Sequence, residues 1–211
     1  MKQLLNVDGP LMTILGHIAN FITLSLLWLL CSIPVITIGA STSALYYVTL
    51  KMVRGEVSGV AGLYWKAMKE NLRYGIVFSI LFGGVGAVLL LDYTTMLQKT
   101  GAAGTVLRVI FMALGFCYII TMLFTFPFQA QFVNTVRGTL KNAFYYSIHN
   151  VRIAFMVLGI HLMPFLVMFL PFDVLLKILP LLIMFLPALI AYLSSLQFMK
   201  IFKPLMENGE S

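Results

Sequence analysis

Residues 9–50 read GPLMTILGHIANFITLSLLWLLCSIPVITIGASTSALYYVTL, without a single Asp, Glu, Lys or Arg. A helix of that length would run roughly 60 Å, twice the hydrocarbon thickness of a bilayer. The stretch is too long for one membrane span and too long for the apolar region of a cleavable leader. Pro34 and the Thr37-Ile38-Gly39 turn divide it, because proline removes a backbone donor and interrupts a helix. Residues 11–36 are therefore expected to form a first span. Ser41 or Thr42 is then placed to cap a shorter helix running to Arg54.

The rest of the chain repeats the pattern. Of 211 residues, 61% are hydrophobic and 10% charged, with a mean hydropathy of +0.99. A soluble domain is nearer half apolar and a quarter charged, so a soluble globular protein is excluded. Charges bracket further spans at 74–91, 109–128, 153–170 and 178–198. The eighteen residues between Arg73 and Asp92 reach roughly 27 Å as a helix, just enough for the hydrocarbon core. The expected fold is all-α: a polytopic transmembrane helical bundle of about five spans, one integral membrane domain over residues 1–211.

Fourteen Lys and Arg against seven Asp and Glu leave a net charge of +7. In a soluble chain that would raise the question of nucleic acid; here no nucleic acid is expected, and the charge sets orientation. Five spans collect Lys51, Arg54, Lys66, Lys69, Arg73, Arg137, Lys141, Arg152, Lys200 and Lys203 on one side, and Lys2, Lys99, Arg108 and Lys177 on the other. The positive-inside rule then predicts an N-terminus outside and a C-terminus in the cytoplasm of a multi-pass cell-membrane protein. Four spans, with one late segment re-entrant, would put the C-terminus outside.

A weak internal echo organises the basic side. Val53-Arg54-Gly55, Trp65 and Asn71-Leu72-Arg73 are followed later by Val136-Arg137-Gly138, Phe144 and Asn150-Val151-Arg152. In both, the aromatic precedes the Asn by six residues, and Pro34 and Pro127 fall near the ends of the preceding spans. The pattern predicts a parallel repeat of span, short cytoplasmic surface helix, span. Arg54, Trp65, Arg73, Arg137, Lys141 and Arg152 suit the headgroup layer, where a charged tip meets water or phosphate and a ring stays in the apolar boundary. The same residues are candidates for a cytoplasmic docking surface. A second repeat, PFLVMFLP at 164–171 and PLLIMFLP at 180–187, reads as helix-bending proline, with Asp173 and Lys177 an interfacial ion pair between the two copies.

Few residues offer chemistry. His17 and Asn20 share a face with Thr13 and Gly16, and His161 lies near mid-span; together they form a candidate intramembrane polar site. A membrane His is more often hydrogen-bonded between helices. No acid falls clearly inside a span, which removes the usual carboxylate of an ion-coupled carrier. Cys31 and Cys117 lack metal-ligand spacing and read as separate buried thiols. No nucleotide loop, zinc motif or serine elbow is present, so no enzyme, cofactor or metal is expected. Gly75, Ser79, Gly83 and Ala87 recur every four residues and predict a smooth face for close helix packing, with large residues at Gly83 disturbing assembly.

The segment LLCSIPVITIGASTSALYY at 29–47, continuing to Lys51, Arg54, Gly55 and Glu56, resembles the YesL-like family of small bacterial integral membrane proteins, with Pro34, Thr37 and Gly39 forming its turn. Lys141-Asn142-Ala143-Phe144 extends the likeness, which is expected to cover most of the chain. The resemblance implies a domain of unknown function, encoded beside sugar permeases and polysaccharide-degrading enzymes, and brings no catalytic residues. Two functions stand against each other. One is a non-catalytic accessory or assembly component of carbohydrate uptake, in contact with the lipid bilayer and a sugar permease. The other is a small transporter or channel for an uncharged solute, its pathway lying between the repeats.

Overall fold

A computed structural model describes residues 10–97, 101–132, 134–207 and 209. Lys2, Lys99 and the side chain of Thr13 lie outside what is described. Among the described residues there are seven α-helices: α1 (Pro10–Ser32), α2 (Ile38–Val53), α3 (Val60–Leu97), α4 (Gly101–Gln131), α5 (Val136–His149), α6 (Val151–Leu166) and α7 (Phe172–Glu207). Short 3-10 turns occupy Val35–Thr37 and Val167–Phe169. The fold is the expected all-α bundle. Helices α1, α3, α4 and α7 are each long and apolar enough to cross a membrane, and α5 with α6, bent by 102°, makes a fifth span if counted as one.

The packing fixes the direction of each helix. Phe21 meets Tyr192 and the Ser25 hydroxyl accepts from the Ala188 amide, so α1 and α7 run antiparallel. Phe124 packs on Phe198 and Phe128 on Phe202, so α4 and α7 run parallel. The Tyr118 hydroxyl donates to the Phe82 carbonyl while Gln129 bonds Asn71, so α3 and α4 run antiparallel. At the start of α2, Gly39 touches Gly75 and Ser79 of α3, while a short turn joins the end of α2 to the start of α3; these two are antiparallel as well. Arg54 and Gln131 meet where α2 and α4 end.

The directions agree on one arrangement: the chain turns back after α1, and α2 returns through the bundle. The start of α1, the α2–α3 turn, α5 and the end of α7 all lie at one end, called here the basic end, and the α1–α2 turn points towards the other. Four expectations change as a result. The shorter helix after Pro34, which the five expected spans left out of the bundle, is the most enclosed helix of the fold, with ten of the sixteen residues of α2 buried among α1, α3, α4 and α7. The two ends of the described chain lie together rather than on opposite sides. Pro34 lies in the α1–α2 turn, away from the basic end, whereas Pro127 lies inside α4 near the basic end. Finally, α2 starts at Ile38, not at Ser41 or Thr42.

The echo is partly kept. The Asn71 and Asn150 side-chain amides both donate to the carbonyl four residues back, at 3.0 and 3.1 Å. Yet α3 runs unbroken through Asn71, so the first surface helix and the 74–91 span are one helix, whereas Asn150 marks the sharp α5–α6 bend. Gly55 has a left-handed φ of +72° and closes the α2–α3 turn, a conformation that favours glycine. Gly138 instead lies inside the first turn of α5, beneath the capping Thr135 hydroxyl. Asp173 and Lys177 occupy the first turns of α7 and do not form the expected ion pair, whereas Arg54–Glu56 and Lys66–Glu70 do pair.

Candidate functional site

The hairpin turn is built by hydroxyls. Pro34 has no amide proton, so carbonyls at the end of α1 need other donors. The Thr37 hydroxyl lies 2.6 Å from the Cys31 carbonyl and 2.7 Å from that of Pro34. Trp28 Nε1 donates to Thr42 Oγ1 at 3.2 Å. Ser41 Oγ is 3.0 Å from the Trp28 carbonyl, 3.1 Å from Ser32 Oγ and 2.7 Å from the Tyr64 hydroxyl. A serine has one proton to give and a carbonyl has none, so Ser41 donates to Trp28 and accepts from Ser32 and Tyr64. One buried hydroxyl therefore ties α1, α2 and α3 together.

Small residues let the helices close on this turn. Gly39 lies against the Gly75 backbone, and its amide donates to Ser79 Oγ at 2.8 Å. Gly75 and Ser79 thus form the packing face expected of them. Gly83 and Ala87 do not, since both are exposed and a Cβ on Gly83 would meet nothing within 4 Å. The tight glycine one turn on is Gly86, beneath the Tyr118 ring.

His161 faces the hairpin. Its Nδ1 is 2.8 Å from the Val157 carbonyl and must donate there, which leaves Nε2 to accept from the Tyr46 hydroxyl at 3.2 Å. His17 lies exposed on α1, three turns before Trp28, and Asn20 is half-buried one turn further along; neither joins His161. The expected polar site is therefore not assembled. Tyr46 and Trp28, which the sequence did not single out, are the residues that the structure brings to His161 and the turn.

At the basic end the bundle is closed. Phe124, Phe128, Phe132, Phe198 and Phe202 stack edge to face or in parallel, with neighbouring centroids 4.8–5.8 Å apart. Beside them Gln129 donates to Asn71 Oδ1 at 3.2 Å and accepts from Thr139 Oγ1 at 3.1 Å, joining α4 to α3 and α5. A glutamine inside an apolar run is the signal that points to it. Arg54 bonds Glu56 at 3.1 Å and Gln131 at 2.8 Å, and only 18% of its side chain is exposed. It is a structural tie rather than a docking residue. Arg73, Arg137, Lys141 and Arg152 are exposed, and Trp65 is 50% exposed with Lys69 Nζ 6.0 Å from its ring centroid. These stand on the outer surface together with Phe144, Tyr145 and Ile148 of α5.

Among the described residues no three His, Cys, Asp or Glu side chains are grouped so as to hold a metal. Cys31 is half-buried and Cys117, expected to be buried, is exposed on α4. No curated protein and no solved structure matches this chain. A family match covers residues 21–93, which leaves the Lys141–Phe144 segment outside it. Those residues take in the hairpin turn, all of α2 and most of α3, and over them the chain is similar to the family described as "Protein of unknown function, DUF624", that of the YesL-like proteins.

Proposed function

We propose that this chain is a non-catalytic membrane component that docks onto a partner through its basic end, and that the partner is a membrane complex of carbohydrate uptake such as a sugar permease. One observation carries the reading. The cationic and aromatic side chains Trp65, Arg73, Arg137, Lys141 and Arg152 face outward at one end, while inside the bundle Ser41, Thr49, Asn71 and Gln129 bond to other side chains. The stacked phenylalanines at that end leave no polar route through the bundle, which speaks against a solute pathway. The link to carbohydrate uptake rests on the family resemblance. With both ends of the described chain at the basic end, the positive-inside rule puts both in the cytoplasm, in place of the outside N-terminus that five spans implied.

The test is purification in mild detergent from the native host. A sugar permease is expected to come with the chain and to be lost when Trp65→Ala, Arg137→Gln and Lys141→Gln are combined, with the protein still inserted. Sugar flux in vesicles of the purified chain alone would overturn the reading.

A further inference from the structure

A cavity of about 670 Å³ opens beside the hairpin turn, between α1, α2, α4, α6 and α7. Its size falls within the range of sites that hold small organic molecules. Leu45, Leu182, Leu186, Pro164 and Pro187 form much of the wall. The polar groups that reach it are already paired, Trp28 with Thr42 and Tyr46 with His161. Water in such a space would need two to four polar partners and finds none free of a protein bond. At the adjoining turn Ile33 is 71% and Val35 73% exposed, in a stretch without charge from residue 9 to residue 50. The phase around the turn is therefore hydrocarbon, and what enters a cleft there comes from the bilayer.

We propose that this cavity is a lipid site that takes one acyl chain of a bilayer phospholipid. Leaving so large an apolar space unfilled costs more than a marginally stable fold tolerates. The lipid chain then completes the packing of α6 against the hairpin.

Trp28 lines the cavity, and the chain's other tryptophan, Trp65, lies at the basic end. In a Trp65→Phe background, purified protein in detergent is titrated with phosphatidylcholine brominated at the middle of one acyl chain. Trp28 emission is expected to fall in a step that saturates at a single lipid per chain. Filling the cavity with Ile183→Phe and Leu186→Phe should abolish that step and leave only gradual quenching. Gradual quenching in both proteins would overturn the proposal, as would a step seen with a brominated free fatty acid but not with the phospholipid. Should the filled variant aggregate, native mass spectrometry of the unaltered chain decides. A phospholipid retained through detergent exchange supports the site, and a bare chain overturns it.

Discussion

Gly75→Leu is expected to abolish the folded state in detergent. A side chain at Gly75 would have to occupy the backbone and Cβ of Ala40, and α2 has nowhere to retreat because α1, α4 and α7 enclose it. Inserting methylenes into a packed core costs about 1–3 kcal/mol where side chains alone must yield. Here two helix backbones must part, so the cost is about 4 kcal/mol or more, the range reserved for a broken core. Gly83→Leu is the control: the same residue type on the same helix, two turns on, facing open space. Gly75→Leu should give aggregated material or a melting transition far below the parent, and Gly83→Leu a near-parental transition. Equal melting of the two would mean that α2 does not press on α3 at Gly75.

The second large effect is expected at Ser41. Ser41→Ala removes the acceptor 2.7 Å from the buried Tyr64 hydroxyl and leaves it only the long contact to the backbone carbonyl of residue 41 at 3.4 Å, and it also removes the donor to the Trp28 carbonyl and the partner of Ser32. A buried polar group left without its partner costs about 1–3 kcal/mol, so the single change should cost about 2 kcal/mol or more. Tyr64→Phe alone should cost less, because it removes the hydroxyl rather than stranding it. The double variant should fall well short of the sum, since with both partners gone nothing polar is stranded between them. Melting in detergent measures all three. Strict additivity would contradict the role given to Ser41 as the tie between the hairpin and α3.

Both effects centre on a helix whose role the sequence conceals, and the reason is physical. Long helices such as α4 and α7 are legible because charges mark where each leaves the bilayer. The α1–α2 turn carries no such mark: Ile33, Val35 and Ile36 are exposed without a charge beside them, and the Cys31, Pro34 and Trp28 carbonyls are met by Thr37 and Ser41 within the chain. Without a charged loop a return pass goes uncounted, and the small-residue start of α2 reads as a cap. The four-residue spacing from Gly75 to Ala87 revealed a face but not which turns of it meet a neighbour, so Gly83 was expected where Gly86 is tight. Charge alone likewise could not separate Arg54, held by Gln131 and Glu56, from the exposed Arg137. The spacing of His17 and Asn20 was that of one helix face, but a face turned away from His161.

The hairpin is the centre of the account, and sidedness tests it most directly. Epitope tags fused before Met1 and after Ser211 are exposed to protease in intact spheroplasts and again after lysis. An α1–α2 hairpin with its basic end in the cytoplasm predicts that both tags are protected in the spheroplasts and that both are cut once the membrane is opened. Cleavage of the first tag from outside, with the second still protected, would put the two ends on opposite sides and contradict the return of α2 through the bundle.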